Sequence, residues 1–211
     1  HRLFRPIQQL VEVGEAIDRG ETNDLVGEQR RDEIGKVLNS FRRMAQGLEK
    51  KKTVEKALSR YVAPSVAELI LSGSNTQQLG GTTAEGSVLF CDIVGFTELS
   101  ENLDPEQVAN LLNDYFHYFS LISSSCQGTV DKFIGDAMMV IWGAPVTHAD
   151  DAARACFAAI DIQRELVNFN TSLQTRGQKE VNVGIGINTG SLVAGYIGST
   201  QTMSYSVIGD T

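Results

Sequence analysis

Two short stretches constrain this chain more than any other part of it. In Phe90-Cys91-Asp92-Ile93-Val94-Gly95-Phe96-Thr97 an apolar run ends in a carboxylate and a glycine-containing turn. In Asp131-Lys132-Phe133-Ile134-Gly135-Asp136-Ala137-Met138-Met139-Val140 a second carboxylate sits between two apolar runs. Val88, Leu89 and Phe90, bounded by Gly86 and Gly95, predict a buried strand over Ser87–Asp92. The second stretch predicts a β-hairpin, with Thr129–Phe133 and Asp136–Trp142 flanking a tight turn at Ile134-Gly135, where glycine accepts positive φ. A carboxylate at the end of a buried strand is costly unless it is compensated. If Asp92 and Asp136 converge, a hard divalent cation is the natural compensation, because such ions take oxygen ligands from one or two carboxylates together with substrate phosphates.

These residues resemble the class III nucleotidyl cyclases, whose catalytic domains carry F-x-D-I-x-G-F-T and then, about forty residues later, K-F-I-G-D. The resemblance implies conversion of ATP to cyclic AMP and pyrophosphate, by attack of the ribose 3′-oxygen on the α-phosphate. It implies two Mg²⁺ or Mn²⁺ ions about 4 Å apart, held by Asp92, Asp136 and the backbone carbonyl of Ile93. The turn formed by Val94, Gly95, Phe96 and Thr97 is expected to meet the β- and γ-phosphates, as other anion-binding turns do. Lys132 and Ser206 are expected to recognise adenine, since a Glu and Cys pair serves guanine in the family. Lys is a donor only, so it suits adenine N1 and meets the N1–H of guanine badly; such a mismatch costs about 1–3 kcal/mol.

The resemblance further implies a head-to-tail homodimer in which one subunit brings the metals and the other the base-binding pair. The chain stops at Ile208-Gly209-Asp210-Thr211, before the V-N-x-A-x-x-R motif. The transition-state Asn and Arg are therefore expected beyond Thr211, and this segment by itself is expected to be nearly inactive. Ser191 stands where the family sometimes has a phosphate-binding Arg. Three other readings compete. A guanylate cyclase is disfavoured by Lys132, and a diguanylate cyclase needs a G-G-D/E-E-F turn, which Phe133-Ile134-Gly135-Asp136-Ala137 is not. A silent signalling dimer that binds nucleotide is opposed by the presence of both aspartates.

Charge divides the chain unevenly. Of the 211 residues with a net charge of −8, residues 1–60 hold 13 Lys and Arg against 10 Asp and Glu, and residues 61–211 hold 5 against 16. A boundary near residue 60 follows, and the acidic second part lacks the basic stripe of a nucleic-acid binder. Cys91, Cys126 and Cys156 are odd in number and widely spaced, which suits a reducing compartment and no zinc site. Cys91 is expected to pack in the core, on the face opposite Asp92.

Before the boundary, Leu3, Ile7, Leu10, Gly14 and Ile17 follow heptad spacing, and Ile34, Leu38, Phe41, Ala45 and Leu48 resume it. A polar connector, Glu21–Arg31, lies between. With Pro6 and Asp32-Glu33-Ile34-Gly35, this segment resembles a HAMP domain, which implies parallel coiled-coil helices that carry a signal to an output domain. The helix is expected to continue from Glu49 to Arg60 with a solvated basic face. No run of eighteen or more apolar residues occurs. The chain opens without Met in His1-Arg2-Leu3-Phe4-Arg5-Pro6. It is read as the cytoplasmic-side segment of a longer, membrane-anchored protein with an upstream sensor.

The organisation expected is a HAMP domain over 1–52, a coupling helix and linker over 53–86, and an incomplete cyclase domain over 87–211. The fold class is α+β: HAMP helices followed by a ferredoxin-like or palm α/β sandwich with a mainly antiparallel sheet. Pro64 starts a helix that stops near Gly73, and Ser72–Gly86 reads as linker. Asp104 and Pro105 cap a helix whose apolar face runs from Val108 through Leu111, Leu112, Tyr115, Phe116, Phe119 and Ile122. His117 lies off that stripe. His148-Ala149-Asp150-Asp151 reads as an acidic first turn of a helix over Ala149–Phe169 and not as a metal cluster. Strands are expected over Val181–Ile187, Gly190–Gly198 and Met203–Ile208. The glycines at 184, 186 and 190 lack the spacing and following helix of a dinucleotide loop.

Overall fold

The computed structural model describes residues 33–58, 61–72, 79–199 and 201–211. The predicted heptad helix from Leu3 to Ile17 and the Glu21–Arg31 connector lie outside these residues. The chain divides into two compact units, His1–Tyr61 and Val62–Thr211. Among the described residues, no helix is long and apolar enough to cross a membrane.

The first unit contributes helix α1, Glu33–Leu58, which runs unbroken through the predicted second heptad segment and its basic extension. Ala45 is buried, Phe41 half-buried, and Leu48 of the same expected seam is exposed. The basic face is solvated as expected; Lys51 lies 3.7 Å from Glu55 across one turn, a pairing worth little at the surface.

The second unit opens with α2, Pro64–Leu71, whose Pro64 occupies the first turn where its missing N–H is harmless. Ser65 Oγ and Thr129 Oγ1 share a hydrogen bond of 3.0 Å. Strand β1 (Gly80–Ile93) is followed by α3 (Phe96–Glu101), α4 (Pro105–Ser125), β2 (Thr129–Ile134), β3 (Ala137–Trp142), α5 (Asp151–Thr175), β4 (Val183–Gly198) and β5 (Met203–Ile208). The strands form one antiparallel sheet in the order β2-β3-β1-β4-β5.

The sheet alternation sorts two cores. Leu89, Cys91, Ile93, Met138, Val140 and Trp142 point to one face, where α4 and α5 cover them with Tyr115, Phe119, Ala155, Ala158, Ile162 and Leu173. Val88 and Ile141 point to the other, against Leu192 and Ala194, with Tyr205 and Val207 packed beside them. Burial on both faces is why the central strands read as near-continuous apolar runs.

The second core exists because the sheet curls. β1 pairs with β4 along its whole length, but with β3 only over Ser87–Cys91. The far half of β1 and β4, carrying β5, bends back towards the hairpin. The edge strands β2 and β5 thereby meet: Lys132 Nζ donates to Ser206 Oγ at 2.9 Å.

Several predicted boundaries move. The stretch read as linker becomes strand from Gly80 onward, because its backbone pairs with Ser191–Tyr196 although its side chains carry no apolar pattern. The two strands expected over Val181–Gly198 are one, since Asn188, Thr189 and Gly190 keep pairing with Val88, Ser87 and Gly86. The helix expected from Ala149 begins at Asp151 and reaches Thr175. Asp151 explains the start: its carboxylate accepts from His148 N at 2.8 Å and lies 3.3 Å from His148 Nδ1. Helix α3 had no counterpart in the sequence reading. The capped start of α4 is as expected, with Gln107 closing a capping box on Asp104 at 3.0 Å.

Candidate active site

Asp92 stands one residue before the end of β1, on the exposed side of the strand, while its neighbours Cys91 and Ile93 are buried. The strand is held there from behind. Tyr115 of α4, fully buried, donates its hydroxyl to Cys91 O at 3.0 Å and Cys91 Sγ at 3.3 Å. Burial pushes the Cys91 thiol up to about 11 and the Tyr115 phenol far above its ordinary value. Both groups therefore stay protonated at neutral pH; Cys91 is an anchor and not a nucleophile.

Asp136 comes from the tip of the β2–β3 hairpin, in the turn itself and not at the head of the following strand. Its Oδ2 accepts from Ile93 N at 3.1 Å, which draws the second carboxylate to the residue after Asp92. The hairpin is clamped to α4 by Phe133, whose ring stacks on Phe116 with centroids 4.0 Å apart. On the other side, a Cβ built on Gly184 would stand 2.8 Å from Asp92 Oδ1. The absence of a side chain at 184 is what lets the Asp92 carboxylate lie along the sheet.

Asp136 is thus brought to the backbone of the residue next to Asp92. Among the described residues no group of three or more His, Cys, Asp or Glu gathers to hold a metal. Two carboxylates beside a strand end fit a hard cation that completes its shell with phosphate oxygens and water. They do not fit a zinc-like ion held by protein ligands alone.

The turn expected to meet the phosphates is built by Gly95, whose φ of 71° lies in the left-handed region and leads into α3. Val94 differs from its expected part in one respect: its N–H is taken by Asn182 O at 2.9 Å. Phe96 and Thr97 open the first helical turn, where N–H groups have no intrahelical acceptor.

Lys132 and Ser206, 74 residues apart, are brought together at 2.9 Å. A third member was not anticipated. Asp131 Oδ2 accepts from Ser206 Oγ at 2.7 Å and lies 3.1 Å from Lys132 Nζ. Neighbouring strand residues normally face opposite ways, but the pairing register shifts between Val130 and Lys132. That irregularity is what lets Asp131 and Lys132 reach the same hydroxyl. The only sequence signal was an acidic residue directly before the lysine.

Residues 81–211 match the model of the adenylate and guanylate cyclase catalytic domain, and residues 1–50 match that of the HAMP domain. Adenylate cyclase 1 of Rhizobium meliloti (strain 1021) is 35% identical over 147 residues, covering 68% of this chain and 22% of its own length. The crystal structure of the guanylyl cyclase Cya2 aligns with a TM-score of 0.61 and 39% identity, over 63% of this chain and 67% of that one. The adenylyl cyclase CyaB from P. aeruginosa aligns with a TM-score of 0.60 and 36% identity, over 63% and 69%. The chain spans 22% to 37% of the length of the first curated relatives it matches. A match that runs from the first residues of β1 to Thr211, with both carboxylates and the Lys132–Ser206 pair inside it, makes this chain a member of the adenylate and guanylate cyclase catalytic domain family.

Proposed function

We propose that the protein is an adenylate cyclase governed by its HAMP domain, converting ATP to cyclic AMP and pyrophosphate. The observation that carries the catalytic reading is the Asp136 carboxylate drawn onto Ile93 N at 3.1 Å beside Asp92. Asp92, Asp136 and the Ile93 carbonyl hold the divalent cations, two Mg²⁺ or Mn²⁺ per site. When bound, these supply Lewis-acid polarisation of the phosphate oxygens and neutralise charge on the leaving pyrophosphate. The Val94–Thr97 turn receives the β- and γ-phosphates through the N–H groups of Gly95 and Phe96 and the N–H and hydroxyl of Thr97. The Val94 N–H stays committed to Asn182 O, so Val94 takes no phosphate through its amide.

Adenine is selected by Lys132 and Ser206. The lysine donates to N1 and the serine accepts from the N6 amino group; guanine offers an N–H and a carbonyl in those places. In the proposed homodimer each site is composite, with the metal side from one subunit and the base pair from its partner. The HAMP segment relays the state of an upstream sensor across the cytoplasmic face of a membrane.

The 39% identity to a guanylyl cyclase structure favours one second reading, a guanylate cyclase. Assaying the full-length protein with ATP and with GTP in Mn²⁺, alongside Asp92→Ala, separates them. Cyclic AMP formation abolished by Asp92→Ala supports the proposal. Cyclic GMP as the main output, or no product from either nucleotide, refutes it.

A further inference from the structure

We propose that Asp131 is a positioning residue for base selection, which locks the Ser206 hydroxyl as an acceptor and so makes the site reject guanine. This inference rests on the adenine reading of Lys132 and Ser206 and adds a residue to it.

A serine hydroxyl has one proton and two lone pairs, and it rotates to suit its neighbours. Left to itself, Ser206 accepts from the N6 amino group of adenine or donates to the O6 carbonyl of guanine with equal ease. A lysine–serine pair therefore discriminates at only one of its two positions. The surroundings of Ser206 remove that ambivalence. Its proton is committed to Asp131 Oδ2 at 2.7 Å, and one lone pair receives Lys132 Nζ at 2.9 Å. What remains is a single lone pair, which can accept and nothing else.

The lock is held firmly. The Asp131 side chain is only 2% exposed, so water does not compete for its oxygens, and Lys132 neutralises it at 3.1 Å. The Lys132 side chain is 44% exposed. Its ammonium lies beside the Asp131 carboxylate and donates one N–H to Ser206, which leaves a donor for a ring nitrogen on the open side. The trio thus presents one fixed donor beside one fixed acceptor. Adenine's N1 and N6 amino group complement that order, and guanine's N1–H and O6 oppose it at both positions.

The bland alternative is that Asp131 is a buried counter-ion that pins the β2 and β5 edges together. The two roles separate in a double-mutant cycle on full-length protein: Asp131→Ala, Ser206→Ala and the pair, with kcat/KM measured for ATP and GTP and folding checked by thermal melting. If Asp131 acts through Ser206, Asp131→Ala lowers the ATP-to-GTP ratio about tenfold or more, mainly by a gain with GTP. In the Ser206→Ala background the same substitution then leaves the ratio unmoved.

A ratio unchanged by Asp131→Ala, or one shifted equally with Ser206 absent, overturns the inference. Should Asp131→Ala fail to fold, Asp131→Leu keeps the bulk and removes every acceptor for the Ser206 proton. A folded Asp131→Leu with an unchanged ratio overturns the inference equally. A wild-type enzyme inert towards both nucleotides strikes the cyclase reading, and one that prefers GTP strikes the adenine reading together with this inference. An ATP-selective wild type with insensitive Asp131 variants strikes this inference alone.

Discussion

Gly184→Ala is predicted to inactivate the enzyme while leaving the fold standing. The added Cβ would lie 2.8 Å from Asp92 Oδ1, and the only other atom near it is Asp92 Cγ at 3.9 Å. Ordinary contact begins at 3.4 Å, so the carboxylate oxygen must retreat by about 0.6 Å. Backbone does not stand in the way, and a carboxylate at an exposed strand end swings aside easily. Stability should therefore change by no more than about 1 kcal/mol, with the loss of glycine's unfolded-state freedom acting in the stabilising direction.

Catalysis is less tolerant of the same shift. With Asp92 in the metal-holding role proposed for it, a displacement by a sizeable fraction of an ångström is expected to lower kcat about 10²-fold, since near-attack geometry is lost at roughly the 1 Å scale. Cyclic AMP formation at saturating ATP and Mn²⁺, set beside the melting temperature of the same preparation, is the pair of measurements required. A variant with wild-type kcat would show that Asp92 does not need the space over Gly184. A variant whose activity falls only in step with its melting temperature would show that the glycine serves the sheet and not the site.

Two further predictions concern the anchor behind Asp92. Because burial raises the Cys91 thiol from 9.0 to about 11 and raises the Tyr115 phenol as well, the unfolded chain loses these protons first. Stability is therefore fully present below pH 9 and falls as pH climbs towards 11, by up to about 1.4 kcal/mol per pH unit for each group. Chemical denaturation at pH 8 and pH 10.5 measures the fall, and Cys91→Ala should shrink it. Tyr115→Phe removes the donor to Cys91 O and Sγ and should cost about 1–3 kcal/mol in a denaturant titration. It should also cost activity beyond what the stability loss explains, because the strand carrying Asp92 loses its tether; unchanged kcat would contradict that link.

What the sequence disclosed depended on whether its signals were local. The strand-end Asp92, the hairpin around Gly135 and the Asp104-Pro105 helix start each reside in a few adjacent residues whose chemistry specifies a conformation. All three are found in the structure, with Asp136 moved by a step into the turn. The linker read over Ser72–Gly86 failed from Gly80 onward because that half of β1 is strand by virtue of its partner β4 and not of its own residues. Asn188–Gly190 looked like a break for the same reason. The curl of the sheet lay further out of reach, since it is specified only when Val88 and Ile141 meet Leu192, Ala194 and their neighbours. Asp131 depended on a register shift in β2 that alternation does not betray. The pairing of Lys132 with Ser206 came from resemblance alone, and its physical basis is that curl.

The curl also bears on how such an enzyme could be switched. Asp136, with its hydrogen bond to Ile93, and Lys132, with its ion pair to Asp131 and its hydrogen bond to Ser206, sit four residues apart on one hairpin. Phe133, between them, is stacked on Phe116 of α4. A hairpin pinned at three points in five residues cannot shift its Asp136 end while keeping its Lys132 end still. Within one subunit, then, the two proposed functions move as a block, and internal flexing is a poor way to assemble or dismantle a site. In the proposed composite dimer the metal half and the base half of one site belong to different blocks, so the soft coordinate is the placement of one subunit against the other. The proposed HAMP relay would act on that coordinate, and on that proposal a rigid hairpin suits a cyclase controlled from outside its catalytic domain.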